Sequence, residues 1–212
     1  MAADSPISGY QYHHAELGQE HVYLLPALLQ SLQGLKLDPL RRRIFELGCG
    51  NGAVAKTLTD LGYDITGVDT SAEGIALAGQ HYPQLKLAQG SAYDDLAGRY
   101  GQFPAVVSLE VVEHVYFPRQ YAATVYALLE PGGSAILSTP YHGYWKNLAL
   151  ALTGKMDAHF TALWDYGHIK FWSVKTLRLL LEEAGFQDIT FQRVGRVPAF
   201  AKSMVVVAKK PL

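Results

Sequence analysis

Apolar positions change their period along the chain, and each change marks an element. Over residues 14–33, Leu17, Val22, Leu25, Leu28, Leu29 and Leu32 recur at roughly helical spacing and predict a first helix. Residues 35–40, with Pro39, read as a loop. Short apolar runs then alternate with helical patterns. Strands are expected at 43–47, 64–69, 85–89, 103–109 and 134–138. The helices between them fall at 54–61, closed by Gly62, at 71–81, with Ser71 as N-cap, and at 119–129, before a turn at Pro131-Gly132-Gly133. Strands alternating with helices argue for parallel βαβ units, and unbroken apolar strands suit a sheet covered on both faces. The C-terminal part breaks this rhythm. A helix at 173–184, ended by Gly185, is followed by strands at 186–194 and 203–209 with no helix between them, which suggests an antiparallel hairpin. Residues 140–172 are rich in Tyr, Trp, His and Gly and read as a long irregular lid.

The chain of 212 residues suits one domain, with a helical cap over about 1–38 and the lid inserted at about 140–172. Its formal net charge of -1 gives no electrostatic support for a nucleic-acid partner. Arg41-Arg42-Arg43 reads as a solvated start to the first strand. A single cysteine, Cys49, excludes an internal disulfide and suits a reducing, cytoplasmic setting. Residues 1–10 lack a signal-peptide core, and no apolar run reaches the 18 residues of a membrane span.

Candidate chemistry starts at Glu46-Leu47-Gly48-Cys49-Gly50-Asn51-Gly52, between the first strand and the next helix. Glycines there let the backbone turn sharply and approach a ligand, which would meet free N–H groups near a helix N-terminus. Gly48, Gly50 and Ala53 satisfy a dinucleotide fingerprint, with Asp69 at a fitting distance. Two features point elsewhere. The third glycine is Gly52, and Glu46 would repel a pyrophosphate while suiting an ammonium.

The segment from Ile44 to Gly52 resembles the first motif of class I methyltransferases, and Gly67-Val68-Asp69-Thr70-Ser71 is similar to their second. The resemblance implies an α/β, Rossmann-like fold with a seven-stranded sheet in the order 3-2-1-4-5-7-6, strand seven antiparallel and helices on both faces. It also implies S-adenosylmethionine as cofactor. Its expected contacts are Glu46, Gly48, Cys49, Gly50, Gly52, Asp69 on the ribose hydroxyls, and Thr70. Gly90-Ser91-Ala92-Tyr93 resembles the adenine-contact loop, with Ser91 where an acidic residue is usual and Ala92 beside it. Leu109 and Glu110 complete the set.

Glu110-Val111-Val112-Glu113-His114-Val115 resembles the ubiquinone-biosynthesis O-methyltransferases, a likeness running from about 42 to 139 and close only in the motifs. If this stretch begins a helical turn, Glu110, Glu113 and His114 share one face. They could then hold a divalent cation such as Mg, which the resemblance implies for some relatives. His114 could instead act as a general base, or pack near the sulfonium. The lid adds His142, His159 and His168, the last with Asp165 as a possible orienting group. The lid aromatics Tyr141, Tyr144, Trp145, Phe160, Trp164, Tyr166, Phe171 and Trp172 either line an acceptor site or form a small core. Tyr10, Tyr12, His13 and His14 precede the first helix, as a segment that closes over the cofactor does in relatives. The expectation is methyl transfer to a small-molecule acceptor, most naturally a hydroxyl; a carboxylate, amine or sugar hydroxyl remains open. A nicotinamide oxidoreductase and a non-catalytic cofactor-binding module are the rivals.

Overall fold

In the computed structural model, residues 12, 14–38, 42–165 and 167–212 are described. Tyr10, His13, Pro39, Arg41 and Tyr166 lie outside the described residues. The elements are α1 (His21–Gly34), β1 (Arg43–Leu47), α2 (Ala53–Asp60), β2 (Asp64–Asp69), α3 (Ala72–His81) and β3 (Lys86–Gln89), then α4 (Leu96–Tyr100), β4 (Phe103–Ser108), α5 (Pro118–Ala127) and β5 (Leu129–Pro140). They are followed by α6 (Tyr144–Leu152), α7 (Met156–Phe160), α8 (Val174–Glu183), β6 (Gln187–Val194), a single 3-10 turn (Pro198–Phe200) and β7 (Ser203–Lys209).

The sheet runs β3-β2-β1-β4-β5-β7-β6. β1 to β5 are parallel, and β7 runs antiparallel to both β5 and β6, as expected from the missing helix between the last two strands.

Period-two alternation in the strands feeds two apolar layers. Phe45, Val106, Leu137 and Val206 face α5 and α8, meeting Tyr121, Val125, Leu177 and Leu181. Their neighbours Ile44, Val107, Ile136 and Val205 face the other way, onto α1 and α2, where Leu24, Leu28, Leu32 and Leu58 pack. Both sets are apolar because both faces are covered. Leu24, Leu28 and Leu32, fully buried at helical spacing, each stabilise the fold by about 1.5–3 kcal/mol.

Four elements differ from expectation. First, α1 begins at His21, not near residue 14. Residues 14–16 are drawn across the glycine loop instead. Asn51 Nδ2 donates to the carbonyls of His14 (2.8 Å) and Glu16 (3.1 Å), and the Tyr82 hydroxyl donates to that of Ala15. Second, the turn at 131–133 is an irregularity within β5: Phe103 pairs with Leu129, but Ala105 pairs with Ser134. Third, the lid contains α6 and α7. In α6, Leu148, Leu150 and Leu152 recur every second residue, a strand-like spacing that hid a helix with no buried residue. Fourth, five-residue α4 escaped notice; the Asp95 side chain caps it, accepting from Gly98 N at 2.9 Å.

Candidate active site

The carboxyl ends of β1, β2, β3 and β4 open onto one crevice of about 1140 Å³. Doubly wound sheets place ligands at this edge. Glu46, Gly48, Cys49, Gly50, Asp69, Thr70, Ser91, Ala92, Leu109, Glu110, His114 and His168 all line it. Three expected residues do not. Gly52 sits behind the loop, where a side chain would meet Leu87 and Ala78. Glu113 is wholly buried, and His142 opens onto a neighbouring chamber.

The glycine loop works differently from expectation. Gly48 and Gly50 have φ of +86° and +50°, and a Cβ at Gly50 would run into the Tyr12 ring. Its amides, however, are engaged within the protein. Gly48 N and Cys49 N donate to Val68 O (2.8 and 3.1 Å), Gly50 N to Asp69 Oδ2 (2.9 Å), and Gly52 N to Cys49 O (2.9 Å). The loop therefore offers close approach of the backbone rather than a ring of free donors.

What it leaves unsatisfied is an acceptor. Glu46 is 3% exposed, and its Oε2 has no hydrogen-bond partner among the described residues. Burial, then the neighbouring Asp69, raises its pKa from 4.5 to about 8. A cation bound beside it would satisfy the oxygen and restore the charge. Asp69 accepts from Gly50 N and, through Oδ1, from Ser71 N at 2.7 Å. These bonds fix the carboxylate plane at the crevice wall and leave lone pairs for hydroxyl donors. Burial raises the Asp69 pKa, and the two amides oppose it. Burial also keeps the Cys49 thiol protonated by raising its pKa well above the usual value.

In the 90–94 loop, Asp94 was missed. Its Oδ2 accepts from Ser91 N at 2.8 Å, and it lines the crevice. The acidic group absent at position 91 thus lies three residues on; the Ser-x-x-Asp spacing was the available signal. Val111, whose side chain fills the space beside Gly48, and Tyr116 were also missed.

The stretch after β4 is not a helix. Glu110 has φ +53°, and only a single turn follows, closed by His114 N donating to Val111 O at 2.9 Å. The left-handed residue turns Glu110 away from Glu113 and His114. Its carboxylate instead accepts from Ser138 Oγ (2.8 Å) and Ser203 Oγ (3.3 Å). The expected Glu110–Glu113–His114 trio is therefore not formed. Ligand atoms of Glu113, His114 and His168 are the ones within 4.8 Å of one another. Glu113, fully buried, has a pKa pushed well up by burial and then by Glu110.

Segment 167–172 brings His168 to this place. Ile169 N and Lys170 N both donate to Glu113 O at 3.0 Å, and Trp172 Nε1 donates to Val112 O at 3.2 Å. The His168 ring centre lies 4.8 Å from that of His114, and its Nε2 is 4.0 Å from Glu113 Oε1. Its carboxylate neighbour is therefore Glu113 rather than the expected Asp165. His114 Nδ1 lies 3.2 Å from Gly167 O. A carbonyl only accepts, so Nδ1 carries the proton and Nε2 is the basic nitrogen. Burial, then His114, lowers the His168 pKa to about 4. His142 is likewise lowered to about 4, by burial first and then Lys146. It packs against Phe171 and Phe160, with ring centres 5.0 and 5.8 Å away. Of the lid aromatics, Trp164 edges His114, Trp172 is buried, and Tyr144 and Trp145 are exposed.

Known proteins share this architecture. A methyltransferase from Archaeoglobus fulgidus, described as SAM-dependent, superposes with a TM-score of 0.64 at 16% identity, covering 88% of this chain and 93% of that one. By sequence, a Caulobacter protein named ubiquinone biosynthesis O-methyltransferase is 36% identical over 126 residues, 58% of this chain and 48% of that protein. A protein of the same name from Cereibacter sphaeroides is 30% identical over 154 residues, 69% of this chain and 61% of that one. The chain thus spans about half of the first relative's length and three-fifths of the second's. No described helix is long and apolar enough to cross a membrane. The methyltransferase-domain family model matches residues 16–190, from the segment over the glycine loop into β6, and this chain belongs to that family.

Proposed function

We propose that the protein transfers a methyl group from S-adenosylmethionine to a hydroxyl of a small-molecule acceptor. The observation that carries the reading is Glu46: a buried carboxylate with an unpartnered oxygen, in a crevice whose floor is closely approaching backbone. An α-ammonium meets that demand. A nicotinamide dinucleotide does not, because its pyrophosphate would face Glu46 and find the amides of Gly48, Cys49, Gly50 and Gly52 already engaged. Gly48 and Gly50 leave room for the amino-acid portion, Asp69 is oriented to accept from ribose hydroxyls, and Ser91, Ala92 and Asp94 border the adenine position.

Glu46, Asp69 and the backbone at 48–50 would hold S-adenosylmethionine, which would supply an electrophilic methyl group and a sulfur leaving group that keeps the electron pair. The chain's own residues have three tasks. His114 Nε2 takes the hydroxyl proton, its tautomer set by Gly167 O. The ring of His168 and the edge of Trp164 hold the His114 ring in place. Tyr12, Tyr116 and Trp164 wall the crevice in which the acceptor is held.

Titrating the protein with S-adenosylhomocysteine by calorimetry, then measuring label transfer from the methyl-labelled cofactor to a panel of phenols, tests this. Micromolar binding and label on phenolic oxygen are expected. Calorimetric binding of NAD and not of S-adenosylhomocysteine would overturn the reading.

A further inference from the structure

Beside the cofactor crevice lies a second chamber of about 430 Å³, within the roughly 300–1000 Å³ usual for small-molecule sites. Glu110 and His168 line both spaces, so the two adjoin. Apart from Glu110, its lining comes from outside the glycine and carboxylate motifs, chiefly from α6, the approach to α8, and the β6–β7 connection.

Three cations line it: Lys146, Arg196 and Lys202. None has a carboxylate within 4.0 Å among the described residues. Lys146 is half-buried and held in place. Its Nζ donates to Tyr141 O (2.8 Å) and Lys202 O (3.3 Å), leaving a third N–H for a ligand. Burial, then the Arg196 guanidinium, lowers the Lys146 pKa to about 8. Among the described residues the one carboxylate lining the chamber is Glu110, which already accepts from Ser138 and Ser203. Phe171 and Phe200 add apolar surface. Lys146 and Arg196 therefore face the chamber with no carboxylate partner among the described residues, Lys202 Nζ lies over the Tyr23 ring, and His168 borders both spaces.

Resting on the methyl-transfer reading above, we infer that the acceptor is an anionic hydroxy compound, whose carboxylate or phosphate is held by Lys146 and Arg196 in this chamber while its hydroxyl reaches past His168 to the cofactor crevice. The acidic group is a handle and is not itself methylated. It is the chemistry that completes both cations, and one end of a ring-sized molecule in 430 Å³ can touch them while the other reaches the shared wall.

The test uses the full chain saturated with S-adenosylhomocysteine and three probes: 3,4-dihydroxybenzoate, its neutral amide, and 3,4-dihydroxyphenylphosphonate. The acids should bind at least tenfold more tightly than the amide. Arg196→Gln, on an exposed loop, and Lys146→Met, which keeps the buried stem, should each remove most of that preference while the cofactor's Kd stays within threefold. A tighter phosphonate assigns the handle to phosphate, and a tighter benzoate assigns it to carboxylate. Equal binding of acid and amide, no binding of either acid, or a preference that survives both substitutions would each overturn the inference. The cofactor titration separates the two readings. Failure to bind S-adenosylhomocysteine sinks methyl transfer itself, whereas normal cofactor binding without acid preference sinks only the anionic handle.

Discussion

Glu46→Gln isolates the group on which the cofactor reading turns. With no cation beside it the carboxyl titrates near 8 rather than 4.5, so at pH 7 about nine-tenths of molecules carry a proton there. An ammonium bound against Oε2 favours the ionised form and returns the pKa toward its ordinary value. Binding then releases about 0.9 proton at pH 7. The sign follows: affinity is greatest where Glu46 is already ionised and falls as pH drops below about 8. For full return to 4.5, linkage gives about fiftyfold weaker binding at pH 6 than at pH 8, or ~2.3 kcal/mol. Calorimetry with S-adenosylhomocysteine in buffers of different ionisation enthalpy reads both quantities. Glu46→Gln should bind more weakly at pH 8, release almost no proton, and flatten the profile; any slope that persists belongs to Asp69, also buried and raised. A wild-type affinity constant from pH 6 to 8 without proton release would refute the argument, as would an unchanged slope in the glutamine variant.

Other consequences are as sharp. Gly50→Val forces a β-branched residue into φ +50° and against the Tyr12 ring, so S-adenosylhomocysteine affinity should fall more than a hundredfold on a folded protein; retained affinity by calorimetry would remove the loop from the site. His114→Ala should lower turnover by about 10² to 10⁴, the usual worth of a general base, with cofactor Kd within threefold; unchanged turnover would take His114 out of the chemistry. With His114 as the base, stripping divalent metal with a chelator should leave the rate unchanged. A tenfold loss restored by Mg would reassign Glu113, His114 and His168 to a cation.

The strand positions and the crevice were legible because both are written in local pattern, whereas the strand order came from the motif resemblance. Glycine clusters after short apolar runs place the strand ends, with Glu46 and Asp69 in the last residues of β1 and β2 and Ser91 just past β3. The histidine geometry was not legible. A helical turn after β4 would align Glu110 with Glu113, but the left-handed φ at Glu110 reverses that side chain, and nothing in the sequence marks it. His168 reaches His114 only because two amides of the 167–172 segment dock on Glu113 O, a contact between segments more than 50 residues apart. Likewise α6 was hidden: its leucines are partnered with no core, so their spacing carried no helical signal.

The segment at 14–16 has a kinetic corollary. Asn51 sits in the glycine loop and ties down the chain that crosses it, and Tyr82 adds a third tether. At about 1 kcal/mol per bond, three tethers leave this cover detached in roughly one molecule in a hundred at any instant. Tyr12, just before the tethered stretch, lines the crevice, so on the methyl-transfer reading ligand exchange would be limited by how often the tethers part together. The floor of the site and the latch on its door are therefore one loop, and a change at position 51 would alter how long a ligand stays before it altered how tightly the floor fits.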